Sequence, residues 1–260
     1  MTVFTTKYQK NERKGYKVIK TRKPTPTRPY IIKVASELFF EKGFSRTTST
    51  ELCERADISK GNLTFYFPTK EHILAILVKM MIDFQWQKME ELANEGHDSV
   101  SAYCLELTTM AAISEDLPEM RDFLKAAYTH TMTLDLIRES DIEKVGRVFA
   151  EYTDGWDDEK FAEVEGIISG IEYATLISTD HSASLSRRIS GALDTILKMF
   201  DLPGELRREK IDRALSEDYF AIGREVYESF KDYVTKTNEN ALEEVLKYTK
   251  FKTVYRTLRE

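Results

Sequence analysis

The chain has 260 residues, 42% hydrophobic and 32% charged, with eleven Gly, six Pro and two Cys. It is long enough to bury a sizeable core, too poor in turn residues for an all-β protein, and two distant cysteines argue against a disulfide framework. The net charge of −6 hides an asymmetry: residues 1–27 carry eight Lys/Arg against one Glu, residues 28–70 seven against five, and residues 71–260 carry 23 against 38. A polyanion would be attracted by the first end and repelled by the rest.

Residues 1–27 hold Lys7, Lys10, Arg13, Lys14, Lys17, Lys20, Arg22 and Lys23 before PTPT. Two readings stand for them, a solvated tail or a basic arm that follows a phosphate backbone or enters a minor groove. The segments on either side of NERKG are expected to pair as a small hairpin. Thr27 is the expected cap of a first helix, with Pro29 tolerated in its opening turn. Ile31, Val34, Ala35, Leu38 and Phe39 recur at helical spacing; Gly43 closes that helix and Phe44 tucks beneath it.

From Thr47 to Lys70 the sequence is TTSTELCERADISKGNLTFYFPTK. Thr48 caps a short helix that turns Leu52 and Ala56 inward and Thr50, Glu51, Glu54 and Arg55 outward. Cys53, beside Leu52, is a packing residue. Asp57 tolerates the left-handed conformation of a helix end, and Ile58 plugs the corner. Ser59 then caps a second helix from Lys60 to about Phe65. Two caps around an apolar plug describe a helix-turn-helix. In the second helix Leu63 and Phe67 face inward, which leaves Lys60, Gly61, Asn62 and Thr64 outward.

With the upstream IIKVASELFFEKGF, the aromatic run FYF and the Lys-led helix that follows, about forty-five residues in order resemble the DNA-binding domain of the TetR family of transcriptional regulators. The resemblance covers under a fifth of the chain. It implies an all-α protein: an N-terminal three-helix helix-turn-helix domain (28–70) after the arm (1–27), then a larger helical effector-binding and dimerisation domain (71–260) with a C-terminal extension. A helix entering the major groove presents its N-terminal residues to base edges. Lys60 is therefore expected on guanine and Asn62 on adenine, with Gly61 admitting the backbone and Thr50 reaching a flanking base. Thr48, Ser49, Tyr66 and Lys70 are expected on phosphates. Three positions depart from the family pattern. Thr64 stands where Tyr is commonest, Tyr66 where His is frequent, and Asp57 where the turn usually has Gly. These departures leave the operator sequence open.

A long helix is expected from Thr69 to about Ala93, with Ile73, Leu74, Ile76, Leu77, Met80, Met81 and Phe84 inward. The resemblance makes it the lever between head and body. Residues 99–153 read as three helices with boundaries near Pro118 and Ser140. Their dense aromatic and flexible side chains are mostly ordinary core, but the resemblance implies an effector cavity, for which Tyr103, Met110, Phe123, Tyr128, His130 and Phe149 are the candidates. Asp157–Asp180 reads as one helix with small residues at Gly166, Gly170, Ala174 and Ser178. The next, Ser184–Phe200, carries Leu185, Ile189, Leu193 and Ile196 on one stripe. This pair resembles the family's dimer interface; two internal core helices are the alternative. After Pro203, three amphipathic helices are expected, separated near Ser216 and Thr237, in a tract the resemblance does not explain.

His72, His97, His130 and His181 stand apart, without metal-ligand spacing, and the chain has no nucleophile elbow, P-loop or dinucleotide-binding glycine pattern. No catalytic residue, metal or cofactor is expected. No apolar run approaches the roughly 20 residues that span a bilayer, and the opening residues lack a secretory signal's apolar core, so a cytoplasmic location is expected. The reading is a homodimeric regulator that binds duplex DNA, a repressor released from a palindromic operator by a small-molecule effector. A helical adaptor is the alternative, and an enzyme a distant third.

Overall fold

The computed structural model describes residues 8–9, 17–18, 27–94 and 96–248. Within them the protein is all-α, apart from a two-residue antiparallel pairing of β1 (Tyr8–Gln9) with β2 (Lys17–Val18), Tyr8 opposite Val18. The pairing falls where the hairpin is expected; most of the basic arm lies outside the described residues.

The head is built from α1 (Arg28–Lys42), α2 (Ser49–Ala56) and α3 (Lys60–Tyr66). Thr27 occupies the N-cap position of α1, but its side chain makes no cap bond; only its carbonyl accepts, from the Ile31 N–H at 3.1 Å. The other two caps form as the sequence implies. Thr48 Oγ1 accepts from the Glu51 N–H at 3.2 Å, and Ser59 Oγ from the Asn62 N–H at 3.1 Å; such caps contribute about 0.5–2 kcal/mol each. Asp57 adopts the left-handed conformation (φ 53°), and its N–H returns to the carbonyls of Cys53 and Glu54. Leu52, Ala56, Leu63 and Phe67 join the buried residues of α1 in one core.

The body begins with α4 (Lys70–Asn94), whose expected inward residues from Ile73 to Phe84 are all buried. It continues with α5 (Ser99–Asp116), α6 (Pro118–Thr129), α7 (Thr131–Val148), α8 (Asp158–Leu176) and α9 (Leu185–Met199). One boundary differs from expectation. The break after α6 lies at His130, whose extended backbone (φ −85°, ψ 127°) caps α7, and α7 runs straight through Ser140. Neither Gly nor Pro marks that corner. The His130 carbonyl serves it, accepting from the N–H groups of Thr133 and Leu134 at 3.1 and 2.9 Å.

The C-terminal tract forms α10 (Gly204–Ser216), α11 (Tyr219–Lys236) and α12 (Glu239–Tyr248), broken where expected. It folds back onto the head as well as the body. At Gly223 an added Cβ would lie 3.1 Å from both the Thr109 carbonyl oxygen and Ile113 Cγ1, so glycine is what lets α11 approach α5. Further along, Phe230 meets Phe84 of α4 (ring centroids 5.6 Å) and Phe40 of α1 (5.9 Å). Arg28, at the start of α1, pairs with Glu239 and Glu243 of α12.

The head is joined to the body by a second seam at α6. Asp122 accepts the Ser45 N–H at 2.7 Å, and Arg46 pairs with Glu119 at 3.2 Å. Gly43 is required here twice over: its φ is +92°, and a Cβ would fall 2.7 Å from Asp122 Oδ2. Because Phe230 is buried and links the head to both α4 and α11, Phe230→Ala is expected to cost about 3–5 kcal/mol in urea denaturation. A loss near zero would show that the brace does not bear on folding.

Candidate nucleic-acid interface

The helix-turn-helix presents its outer surface as expected. Lys60, Gly61, Asn62 and Thr64 of α3 are exposed while Leu63, on the opposite face, is 5% exposed. Thr48 and Thr50 of α2 are exposed, Ser49 and Tyr66 half-buried, and Thr50 lines the same shallow concavity as Lys60. Thr64 spends its hydroxyl on the Lys60 carbonyl at 2.9 Å, leaving its methyl to face outward contacts. The aromatic run hides a residue that sequence reasoning passed over. Phe65 is 65% exposed, edge-on to Tyr66 at 5.2 Å. Of the three rings in FYF only Phe67 is buried.

Lys70 is placed differently from a simple phosphate clamp. Its ammonium donates to the carbonyls of Phe44 and Thr47, both at 2.9 Å, and sits 4.2 Å from the Phe44 ring centroid. Two of its three N–H donors are thus committed to the α1–α2 turn. Burial holds its pKa below the usual lysine value. The residue fastens the head to the start of α4, and only the remaining donor could serve a phosphate.

The six effector candidates do not line one cavity. Tyr103 and Tyr128 converge: their hydroxyls donate to the two oxygens of Glu172, at 3.2 and 2.9 Å. Phe149 is edge-on to Tyr103 at 5.5 Å and stacks on Phe200 at 3.8 Å. Phe123 is fully buried against Phe40, and His130 lies edge-on to Phe44 at 5.7 Å, so both belong to the seam with the head. Met110, accepting from Gln85 Nε2 at 2.8 Å, lines a separate groove beside α4.

Around Glu172 lies a cluster that the sequence reading did not single out. Lys144 is buried, 2.9 Å from Glu106 and 3.4 Å from Asp141. Burial disfavours its ammonium, but Glu106, Asp141 and Glu172 outweigh that and hold its pKa above the usual lysine value. Burial pushes the carboxyls of Asp141 and Glu172 up, and the Tyr103 and Tyr128 phenols are raised by burial and then by Glu172. The signal was present in register: Glu172 falls on the buried stripe of Ile168, Thr175 and Leu176, and Lys144 on that of Ile137, Val145 and Val148.

The dimer candidates also divide. On α8, Gly166 and Gly170 have open space where a Cβ would point, Ala174 is exposed, and Ile167 between them is 48% exposed. The α9 stripe is different: Ile189, Leu193 and Ile196 have no exposure and pack into the protomer's own core, while Leu185 is half-buried. The strongly amphipathic pattern of α9 was satisfied internally, so any surface it offers to another chain is the opposite one, with Gly191 and Thr195 exposed.

Taken with the fold, the exposed capped helix defines a helix-turn-helix head on an all-α body. The family described as bacterial regulatory proteins, tetR family, matches residues 31–76. The chain is 31% identical over 94 residues to an uncharacterized HTH-type transcriptional regulator, YuxN, of Bacillus subtilis (36% of this chain, 31% of that protein). It is 36% identical over 58 residues to the HTH-type transcriptional regulator QacR of Staphylococcus aureus, covering 22% of this chain and 30% of the relative. These alignments span about a third of the relatives' length. In fold the chain is similar to Thermus thermophilus FadR, a TetR family transcriptional repressor solved with lauroyl-CoA, with a TM-score of 0.52 and 17% identity over 66% of this chain and 94% of that one. The family model thus matches the head and the start of α4, and the likeness in fold extends over 66% of the chain.

The buried carboxyls set a pH dependence. Glu165 has Arg138 Nε 3.8 Å from one oxygen and no hydrogen-bond partner for the other. Burial, then the Asp141 charge, push it from 4.5 up to about 7. Between those values the folded chain keeps a proton that the unfolded chain has lost, so stability falls as pH rises through that window. The urea midpoint of the wild type is expected to drop from about pH 5 to about pH 8, and Glu165→Gln to flatten part of that drop. A pH profile identical in the variant would contradict the assignment.

Proposed function

We propose that the protein is a homodimeric repressor that reads a near-palindromic operator and is released by a small-molecule effector bound in the body. The observation that carries this is the short capped α3, held by buried Leu63 and Phe67, with Lys60, Gly61, Asn62 and Thr64 facing outward. In this reading Lys60 contacts guanine, Asn62 adenine, and Thr50 a flanking base, while Thr48, Ser49, Tyr66 and the third N–H of Lys70 hold phosphates. Residues 1–27 follow the backbone or minor groove beside the head. A protein working on genomic DNA would do so in the cytoplasm.

Two recognition helices would enter successive major grooves roughly 34–36 Å apart, or a multiple of that. The open face of α8 suits the second copy: helices approach closely where side chains are small, and Ile167 supplies an apolar centre. Effector coupling would travel through elements that hold the head from two sides, α6 with α4, and α11 with α12. A useful shift needs about 1–3 kcal/mol of differential affinity.

On DNA chosen by unbiased selection, Lys60→Ala and Asn62→Ala should each cost about 1–3 kcal/mol at particular base pairs, read by titration on single-base variants. Unchanged preference in both would remove the contact assignment. Ile167→Glu should convert the dimer to a monomer in analytical ultracentrifugation while leaving the helical circular dichroism intact. A variant that remains dimeric would move the interface elsewhere.

A further inference from the structure

The C-terminal tract creates a groove that belongs to neither the helix-turn-helix nor the tyrosine cluster. It lies between α4, α5 and α11 and has a volume of about 370 Å³, within the range of small-molecule sites. Phe84, Met89, Leu105, Met110 and Val226 form its apolar wall. Its charges are unbalanced. Glu106 lies in the floor, and Glu217 and Glu225, both exposed, also line it and have no ion-pair partner among the described residues. Lys88, the lysine of the lining, is paired with Glu91 at 2.7 Å and His97 meets Arg213 at 3.4 Å.

Glu106 is the informative residue. One oxygen accepts from Lys144 at 2.9 Å, while the other is covered and has no hydrogen-bond partner. An orphaned carboxylate oxygen in a low-dielectric floor is costly, and a donor seated in the groove would relieve it once the carboxylate turns toward the lining. The same Lys144 already faces Asp141, so the protein's own cations do not fill the deficit. Phe84 presents a ring toward which a cation already turns, the Lys88 ammonium at 5.7 Å from its centroid.

We propose that the groove between α4, α5 and α11 binds an amphipathic organic ammonium, its N–H donors on Glu106 and its apolar part against Phe84, Met110 and Val226. This names the effector site and class for the regulator reading, on which its biological consequence rests. Occupation bears on the head by contact: groove residue Phe84 touches Phe230, which touches Phe40 of α1.

The test uses the full-length protein without DNA and three probes of one shape and different charge. By calorimetry, 4-phenylbutylammonium should bind once per chain, at least about ten-fold tighter than 4-phenylbutanol, with 4-phenylbutyrate weakest. Glu106→Gln should bring the ammonium down to the level of the alcohol. Glu225→Gln, an exposed change that spares the fold, should weaken the ammonium about two- to three-fold. Val226→Trp should abolish binding of all three by filling the groove. Equal binding of ammonium and alcohol, no binding of the ammonium, or a Val226→Trp variant that still binds would overturn the proposal. DNA binding is measured separately, so a chain that takes the ammonium but no DNA fails the regulator reading alone, and the reverse fails only the site.

Discussion

The α1–α2 turn is held in place by the body, and the direction in which the recognition helix points depends on that grip. Lys70, the first residue of α4, clamps two carbonyls of the turn with its ammonium, while Asp122 of α6 takes the Ser45 N–H. Phe44 meets both that ammonium and, edge-on, the His130 ring. These are charged groups bonded to backbone, shorter and stronger than neutral pairs and specific in direction. A head fixed in this way is tied to both α4 and α6 through its α1–α2 turn.

The C-terminal tract adds a second hold on the same head. Phe40 packs on Tyr227 and Phe230, and Arg28 at the other end of α1 pairs with two glutamates of α12. The ion pairs are partly exposed and weak individually, whereas the aromatic contacts are buried and carry the larger share. Two grips from different helices suit a head whose position reports on the body. The aromatic chain from the groove beside α11 and the seam at α6 thus meet the head at α1 and at its turn into α2.

How far the sequence led depended on whether local chemistry or tertiary packing decided the matter. The caps at Thr48 and Ser59, the left-handed Asp57 and the breaks near Ser216 and Thr237 are local events, and each left a residue-type signal. The corner at His130 left none, because no Gly or Pro makes it; Ser140 looked like a breaker but sits inside α7. Periodicity showed that Ile189, Leu193 and Ile196 share a face without saying which neighbour covers it, and the covering turned out to be internal. Glu172 and Lys144 were readable only as charges out of place on apolar stripes. Phe65 was masked by the aromatic run around it: adjacent side chains of a helix point in different directions, and of the three rings only Phe67, the extended residue that ends α3, turns inward.

The central claim is that α3 enters the major groove of duplex DNA from each half of a dimer. Methylation-protection mapping on a selected high-affinity DNA tests it most directly, because guanine N7 lies in the major groove. The account predicts two protected patches related by a dyad, centred about 10–10.5 base pairs apart or a multiple of that, both lost when Gly61 is replaced by a bulky residue. Protection confined to minor-groove adenines, or a single patch without a dyad partner, would contradict it.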